Sequence, residues 1–277
     1  MNHAITATPP PFGLSPRPAG MESLWIPSGP EFLAASLDLP ALPPPWPVAL
    51  LVHGFTANRI GRSYYFVDLG RTLAHLGVAC LRFDQSGCGE STGDHTAVSL
   101  RTIERDSLAV YQFLARDPRF DPARLVLIGA SMGSFGALAV DAQHGSRGLA
   151  LLAPVFDLDE LVRGKTAGQD VAAALRTFGF VPFRGLRLGP TYFENISALS
   201  MPDLVRAGRS PALILHTQED ETVSLSHAQR LCQAFRAAGR QCDMPDLPGS
   251  THDFHEEPWR TQSITAVSRW FSRCLAL

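Results

Sequence analysis

Five short, mostly apolar segments, at 48–53, 78–84, 125–130, 148–153 and 212–216, constrain this chain more than any other feature. A strand with one wet face alternates apolar and polar residues. These do not, so both of their faces must be covered. Between them lie longer stretches with apolar residues at helical spacing, at 64–76, 99–116, 132–143, 226–238 and 258–274. That βαβα order predicts an α/β fold with a mostly parallel central sheet flanked by helices. Residues 22–27 and 31–39 read as an antiparallel hairpin on the sheet's edge. Pro40, Pro43, Pro44, Pro45 and Pro47 then form a stiff connector into the first buried strand.

With 277 residues, 45% hydrophobic and 18% charged, the chain is long enough to bury one sizeable core. That balance excludes disorder and coiled coil and leaves one large domain or two small ones. A formal charge of −2 provides no electrostatic footprint for nucleic acid or an anionic membrane surface. Lys165 is the only lysine, and no G-x-x-x-x-G-K-[ST] precedes it, so Schiff-base and P-loop chemistries drop out. Cys80, Cys88, Cys232, Cys242 and Cys274 are odd in number, scattered and never arranged as C-x-x-C, which argues for a reducing compartment rather than disulfides or a zinc knuckle. Residues 1–20 are proline-rich and lack a basic segment followed by an apolar one. They read as a disordered leader, with Met21 as an alternative start. No apolar run approaches the roughly 18 residues of a membrane span. The expectation is a soluble cytoplasmic protein, monomer or homodimer, that needs no metal or organic cofactor.

Residues 155–200 break the βα rhythm. They contain no buried-strand run and are too long for an ordinary connection, so they read as a cap inserted into a core of 21–154 and 201–277. Phe156, Phe178, Phe180, Phe183, Tyr192 and Phe193, interleaved with glycine and arginine, suit either a lid over a pocket or simple packing onto the core.

The strongest chemical signal is Gly129-Ala130-Ser131-Met132-Gly133, directly after one strand and directly before a helical pattern. A strand-to-helix turn this tight strains the central residue, and small residues two before and two after it let neighbouring backbones approach. Ser131 then stands at the sheet's carboxyl end as a candidate nucleophile. A serine hydroxyl needs a base within reach and a carboxylate to orient that base. In the chain order Ser, acid, His, the candidates are Asp220, beyond the last long buried strand, and His252 in Pro248-Gly249-Ser250-Thr251-His252-Asp253-Phe254, a loop after a short strand read over 242–247. Glu219 and Asp246 are rival acids, and His255 is a rival base. A His252–His255 metal pair lacks partners at a convincing spacing. Acyl transfer also needs donors for a developing oxyanion: the backbone N–H of Met132, and that of Phe55 in the loop His53-Gly54-Phe55-Thr56. Cys88 has no flanking cation to activate its thiol and reads as packing.

The stretches 53–56, 82–91, 129–133, 216–223 and 249–254 together resemble the α/β-hydrolase superfamily. Within it, the chain is similar to the serine hydrolases that include bacterial cinnamoyl/feruloyl esterases, monoacylglycerol-lipase-like enzymes and serine aminopeptidase-type hydrolases. The resemblance spans the chain from about residue 22 to the end. It implies Ser131, Asp220 and His252 as the triad, and the amides of Phe55 and Met132 as the oxyanion hole. The insert also resembles the cinnamoyl-esterase cap in Gly164-Lys165-Thr166, Pro182-Phe183 and 186–192, which implies Tyr192 as a contact for an aromatic acyl group. Thr217 departs from the family, which usually has glycine after the strand histidine. The implied activity is hydrolysis of small to medium acyl esters, with hydroxycinnamoyl esters as one candidate class, through an acyl-enzyme. Thioester, amide or peptide cleavage is open to the same groups, and a non-catalytic ligand-binding hydrolase is the reading from another class. Haloalkane dehalogenases carry aspartate at the nucleophile position, and serine there excludes them.

Overall fold

The computed structural model describes residues 20–277. The leader expected over 1–20 lies outside the described residues except for Gly20, which opens the first strand.

The edge hairpin consists of β1 (Gly20–Ser28) and β2 (Glu31–Leu39). There follow β3 (Trp46–Val52), α1 (Tyr65–His75), β4 (Ala79–Phe83), α2 (Leu100–Arg116), β5 (Phe120–Ala130), α3 (Gly133–His144) and β6 (Gly148–Leu152). The segment between β6 and the next core strand holds α4 (Leu158–Lys165), α5 (Val171–Phe178), a small hairpin of β7 (Val181–Phe183) and β8 (Leu186–Leu188), α6 (Pro190–Glu194) and α7 (Met201–Ala207). β9 (Ala212–Leu215), α8 (Leu225–Ala237), β10 (Cys242–Asp243) and α9 (Trp259–Leu275) complete the chain.

The eight strands are ordered β1-β2-β4-β3-β5-β6-β9-β10, antiparallel across β1/β2 and β2/β4 and parallel elsewhere. Why the strands carry unbroken apolar runs is visible in β3. Val48, Leu50 and Val52 face one core with Ile103 of α2, Phe135 of α3 and Leu231 of α8. Ala49 and Leu51 face the other with Leu69 and Leu73 of α1 and Val267 and Phe271 of α9. Each such side chain, taken fully out of water, contributes about 1.5–3 kcal/mol. α2 starts where Ser99 accepts from the Thr102 N–H while the Thr102 hydroxyl accepts from the Ser99 N–H, a reciprocal cap on two otherwise unpaired donors.

The fold is the predicted α/β architecture. One strand is shorter than expected: the short strand read over 242–247 pairs only at Cys242 and Asp243. Pro245 and Pro248 have no N–H for a ladder, and residues 244–258 continue as an irregular loop. The carboxyl ends of β3, β5, β6 and β9 open on the same side, beneath the segment that follows β6. No helix among the described residues is long and apolar enough to cross a membrane.

Candidate active site

Ser131 lies between β5 and α3 with φ 51°, a left-handed conformation that carries roughly 1–2 kcal/mol of strain for an L-residue. The turn is held there because its N–H donates to the Leu152 carbonyl at 2.8 Å and its carbonyl accepts from the Ser134 N–H at 3.1 Å. The flanking glycines are required by contact. A Cβ on Gly133 would stand 2.3 Å from the Val52 carbonyl oxygen, and one on Gly129 2.6 Å from the Ser134 Cα. Only this composition lets β5, β3 and α3 meet, and it pushes Ser131 up from the sheet edge into a cavity of about 770 Å³.

Asp220 stands in the loop after β9, and His252 in the long loop before α9. They meet: His252 Nδ1 lies 2.7 Å from Asp220 Oδ2. The other carboxylate oxygen, Oδ1, accepts the N–H groups of Thr222 at 2.8 Å and Val223 at 2.9 Å, and His216 Nε2 lies 3.2 Å from Oδ2. Burial alone would raise this carboxyl's pKa. Hydrogen bonds from His216 and His252, the nearby imidazole charge and the Val223 amide outweigh it, and hold the group well below the usual carboxylate range. An ionised Oδ2 can only accept, so Nδ1 of His252 is the donor and its Nε2 carries the lone pair. Ser131 and His252 line the same cavity, and Ser131 Oγ makes no hydrogen bond to any described residue, so the serine–imidazole link is not closed in this state.

The rival residues stand apart from this contact. Glu219 is exposed and accepts from the Thr217 hydroxyl and from the Gly249 N–H at 2.9 Å. His255 reaches Thr251 at 3.4 Å and Glu256 at 3.5 Å. Asp246 is exposed in the irregular loop. Among the described residues, no group of three or more His, Cys, Asp or Glu side chains is placed to hold a metal ion.

The amides of Phe55 and Met132 both border the cavity, and neither donates to another described group. Met132 precedes the first turn of α3, where N–H groups lack intrahelical partners. The Phe55 amide is aimed by a residue to which the sequence assigned no role. His53 is fully buried, and its Nε2 accepts from the Gln85 N–H at 3.0 Å, so Nδ1 bears the proton and donates to the Gly54 carbonyl at 2.7 Å. In a planar trans peptide the carbonyl and the following N–H point opposite ways. Anchoring the Gly54 oxygen therefore turns the Phe55 N–H outward. Burial lowers the His53 pKa, against the Gly54 hydrogen bond, and favours this neutral tautomer.

Residues 49–261 match the family model for the alpha/beta hydrolase family. The chain belongs to that family. Among its relatives is an uncharacterized protein of Mycobacterium tuberculosis, Rv2307c, 27% identical over 180 residues, which are 64% of this chain and 57% of that one. The chain thus matches little more than half the length of that curated relative. A shorter stretch of 87 residues, 31% of this chain, is 33% identical to 26% of the mitochondrial palmitoyl-protein thioesterase ABHD10 of Pongo abelii. Est1E from Butyrivibrio proteoclasticus, solved with ferulic acid bound, superposes with a TM-score of 0.78 at 23% identity, over 92% of this chain and all of the other.

In this member of the family the cavity's far wall comes from the segment after β6. Tyr192 is 3% exposed and stacks on Phe55 with ring centroids 5.2 Å apart, while Phe183 lies 5.7 Å from Phe55. The Tyr192 hydroxyl makes no hydrogen bond to a described residue, and burial raises its pKa. Leu158, Leu161, Val162 and Leu188 add apolar wall, and Lys165 and Arg184 border the cavity. Cys88 is buried and does not line the cavity; burial, together with Asp84 and Asp106, pushes its thiol up to about 12. The roles of His53 and His216 were not read from the sequence although both stand in the stretches 53–56 and 216–223: His53 holds the very next carbonyl, Gly54, and His216 a carboxylate four residues on, and neither contact leaves a pattern of residue types.

Proposed function

We propose that this hydrolase is a serine-dependent carboxylic-ester hydrolase that forms an acyl-enzyme on small to medium acyl esters, hydroxycinnamoyl esters among them. The observation that carries the reading is the 2.7 Å contact of His252 with Asp220, bordering the same cavity as a serine held in a left-handed strand-to-helix turn. Ser131 Oγ attacks the ester carbonyl while His252 Nε2 takes its proton. Asp220 keeps the imidazole in the tautomer that accepts there and offsets the charge it gains. The negative charge arising on the carbonyl oxygen is met by the Phe55 and Met132 amides, which already lack partners, so they need no reorganisation; one such donor is worth about 3 kcal/mol to the transition state. The tetrahedral adduct collapses as His252 returns the proton to the departing alcohol. Water then cleaves the acyl-enzyme by the same relay, and the acid leaves.

Residues 155–200 act as the cap, and Tyr192 lies against the acyl group with its free hydroxyl available to a phenolic or other polar substituent. No metal or organic cofactor takes part. The five cysteines are free in the structure, which fits a reducing, cytoplasmic compartment. A second reading, thioester hydrolysis by the same groups, is favoured by the stretch shared with the palmitoyl-protein thioesterase. The test is a panel of p-nitrophenyl esters of graded acyl length, methyl ferulate, acyl thioesters and aminoacyl anilides, run beside fluorophosphonate labelling. Ester turnover with a single adduct on Ser131 is the expected result. Anilide or thioester turnover exceeding every ester would replace the substrate assignment, and labelling that persists in Ser131→Ala would overturn the nucleophile.

A further inference from the structure

The candidate base is carried by the least regular part of the core. From Met244 to Pro258 the chain pairs with no strand, so His252 sits in a loop about fifteen residues long whose position depends on a few individual contacts. One is at its entrance, where Trp259 Nε1 donates to the Pro248 carbonyl at 2.6 Å. Another is buried: Phe254 is 2% exposed and faces Tyr65. The next reaches across to the loop that carries Asp220. Glu219 Oε2 accepts the Gly249 N–H at 2.9 Å and also the hydroxyl of Thr217, while the Thr217 oxygen accepts the Glu219 N–H at 3.4 Å. Thr217 is itself 2% exposed and stands directly after the strand histidine, His216. The carboxylate is thus fixed at one end by a buried hydroxyl and grips the other loop three residues before His252.

We infer that Glu219, seated on Thr217, is a positioning residue that holds the His252 loop against the Asp220 loop and so keeps the imidazole in register with the cavity. The inference rests on the proposed function, and deepens it by naming what fixes the distance between acid and base. Thr217, the residue that departs from the family's usual glycine, provides the hydroxyl on which the strut stands. The carboxyl of Glu219 is held below its ordinary pKa by its hydrogen bonds with Thr217 and Gly249, so the strut is ionised and charge-assisted at neutral pH.

The experiment is steady-state hydrolysis of p-nitrophenyl butyrate by the full chain, with thermal melting of each variant. Ser131→Ala tests the proposed function separately, because it should abolish turnover whatever Glu219 does. Glu219→Ala removes an exposed side chain and should melt within a few degrees of the parent. Its kcat should fall about 10- to 100-fold with KM unchanged within twofold, the signature of a misplaced reacting group. Glu219→Gln keeps an oxygen that can accept from both Gly249 and Thr217, and should recover to within about threefold of the parent. Thr217→Val, which removes only the seat of the strut, should give an intermediate loss and serves if Glu219→Ala does not fold. The inference is overturned if Glu219→Ala keeps its kcat within twofold, if the loss appears in KM alone, or if Glu219→Gln is as impaired as Glu219→Ala.

Discussion

The carboxyl edge of the sheet and the segment over it, residues 155–200, are built on opposite terms. α3, which starts just after Ser131, buries every residue from Gly133 to Asp141, and β3, β4 and β6 are buried throughout. In the segment above, α4 buries only Leu158, and α5 buries nothing. Gly164, Gly168, Gly179 and Gly185 have open space where a side chain would go. What holds the segment down is a set of separate contacts: His227 of α8 accepts the Phe156 and Asp157 N–H groups at 3.1 and 3.3 Å, Arg230 lies over Phe156 and pairs with Glu160 and Asp157, Lys165 donates to the Glu221 carbonyl at 3.1 Å, and Leu158, Val181, Leu188 and Tyr192 are buried, the last stacked on Phe55. The difference separates two kinds of requirement. Proton transfer and oxyanion binding need atoms fixed to tenths of an ångström, and close packing fixes them. Holding an acyl group needs area and a few polar contacts, which a loosely packed wall can provide and vary.

If that separation is real, changes at the sheet edge should alter kcat for every substrate. The largest expected effect is Ser131→Ala, a loss of about 10⁵- to 10⁶-fold in kcat with KM and melting temperature little changed, read by single-turnover hydrolysis. Asp220→Asn follows at about 10⁴-fold. Here the structure dictates the failure. Oδ1 already accepts two backbone N–H groups, so the asparagine carbonyl must take that place and its NH₂ must face His252. The imidazole would then accept at Nδ1 and carry its proton on Nε2, the wrong tautomer for receiving one from Ser131. Stability should show the same carboxylate. A group whose folded pKa is depressed contributes stability above its ordinary pKa and loses it as pH falls through the lowered value. The gap in urea stability between the parent and Asp220→Asn should therefore be widest near neutral pH and narrow on acidification, and a gap independent of pH would contradict the role of the buried charge.

How much of this was legible in the sequence follows the same division. The core strands could be read because burial on both faces leaves few polar positions, Arg82 of β4 among them, and the turn around Ser131 because Gly133 meets the Val52 carbonyl too closely for any side chain. The segment 155–200 could be recognised as an interruption but not resolved into helices. α5 does carry an apolar stripe, Val171, Ala174 and Leu175, which packs half-buried against the core, but over eight residues the stripe is too short to stand out as a helix. The strand before the His252 loop, expected over 242–247, stops after Asp243, because Pro245 and Pro248 bring no N–H to a ladder. Chain order and strand-end position proposed Asp220 and His252, whereas the supports of the site, His53 on Gly54 and His216 on Asp220, are contacts visible only in three dimensions.

Tyr192 is where the two regions touch, so its variant sharpens the comparison. Tyr192→Phe keeps the ring stacked on Phe55 and deletes only the unpartnered hydroxyl. Hydrolysis of p-nitrophenyl butyrate should stay within about twofold, while KM for methyl ferulate rises about threefold to tenfold, the worth of one hydrogen bond to the substrate. An equal fall in kcat for both esters would mean that the hydroxyl serves the chemistry, and the boundary between rigid edge and adaptable wall would have to move below Tyr192.

The smallest effect is expected at Phe178, on the outermost part of the segment. Its ring is 61% exposed and touches little beyond Phe180, 6.3 Å away between centroids. Because the ring is already in water, Phe178→Ser should change stability by no more than about 0.5 kcal/mol and leave kcat and KM for butyrate and ferulate esters unchanged. Esters with long acyl chains provide the sharper reading. No residue of α5 lines the cavity, so a long acyl chain meets the Phe178 ring only if its path out of the cavity runs over that helix. A rise in KM confined to esters of ten or more carbons would extend the acyl path to α5, whereas a fall in kcat on the short esters would show that α5 is coupled to Ser131 and that the two regions are not independent.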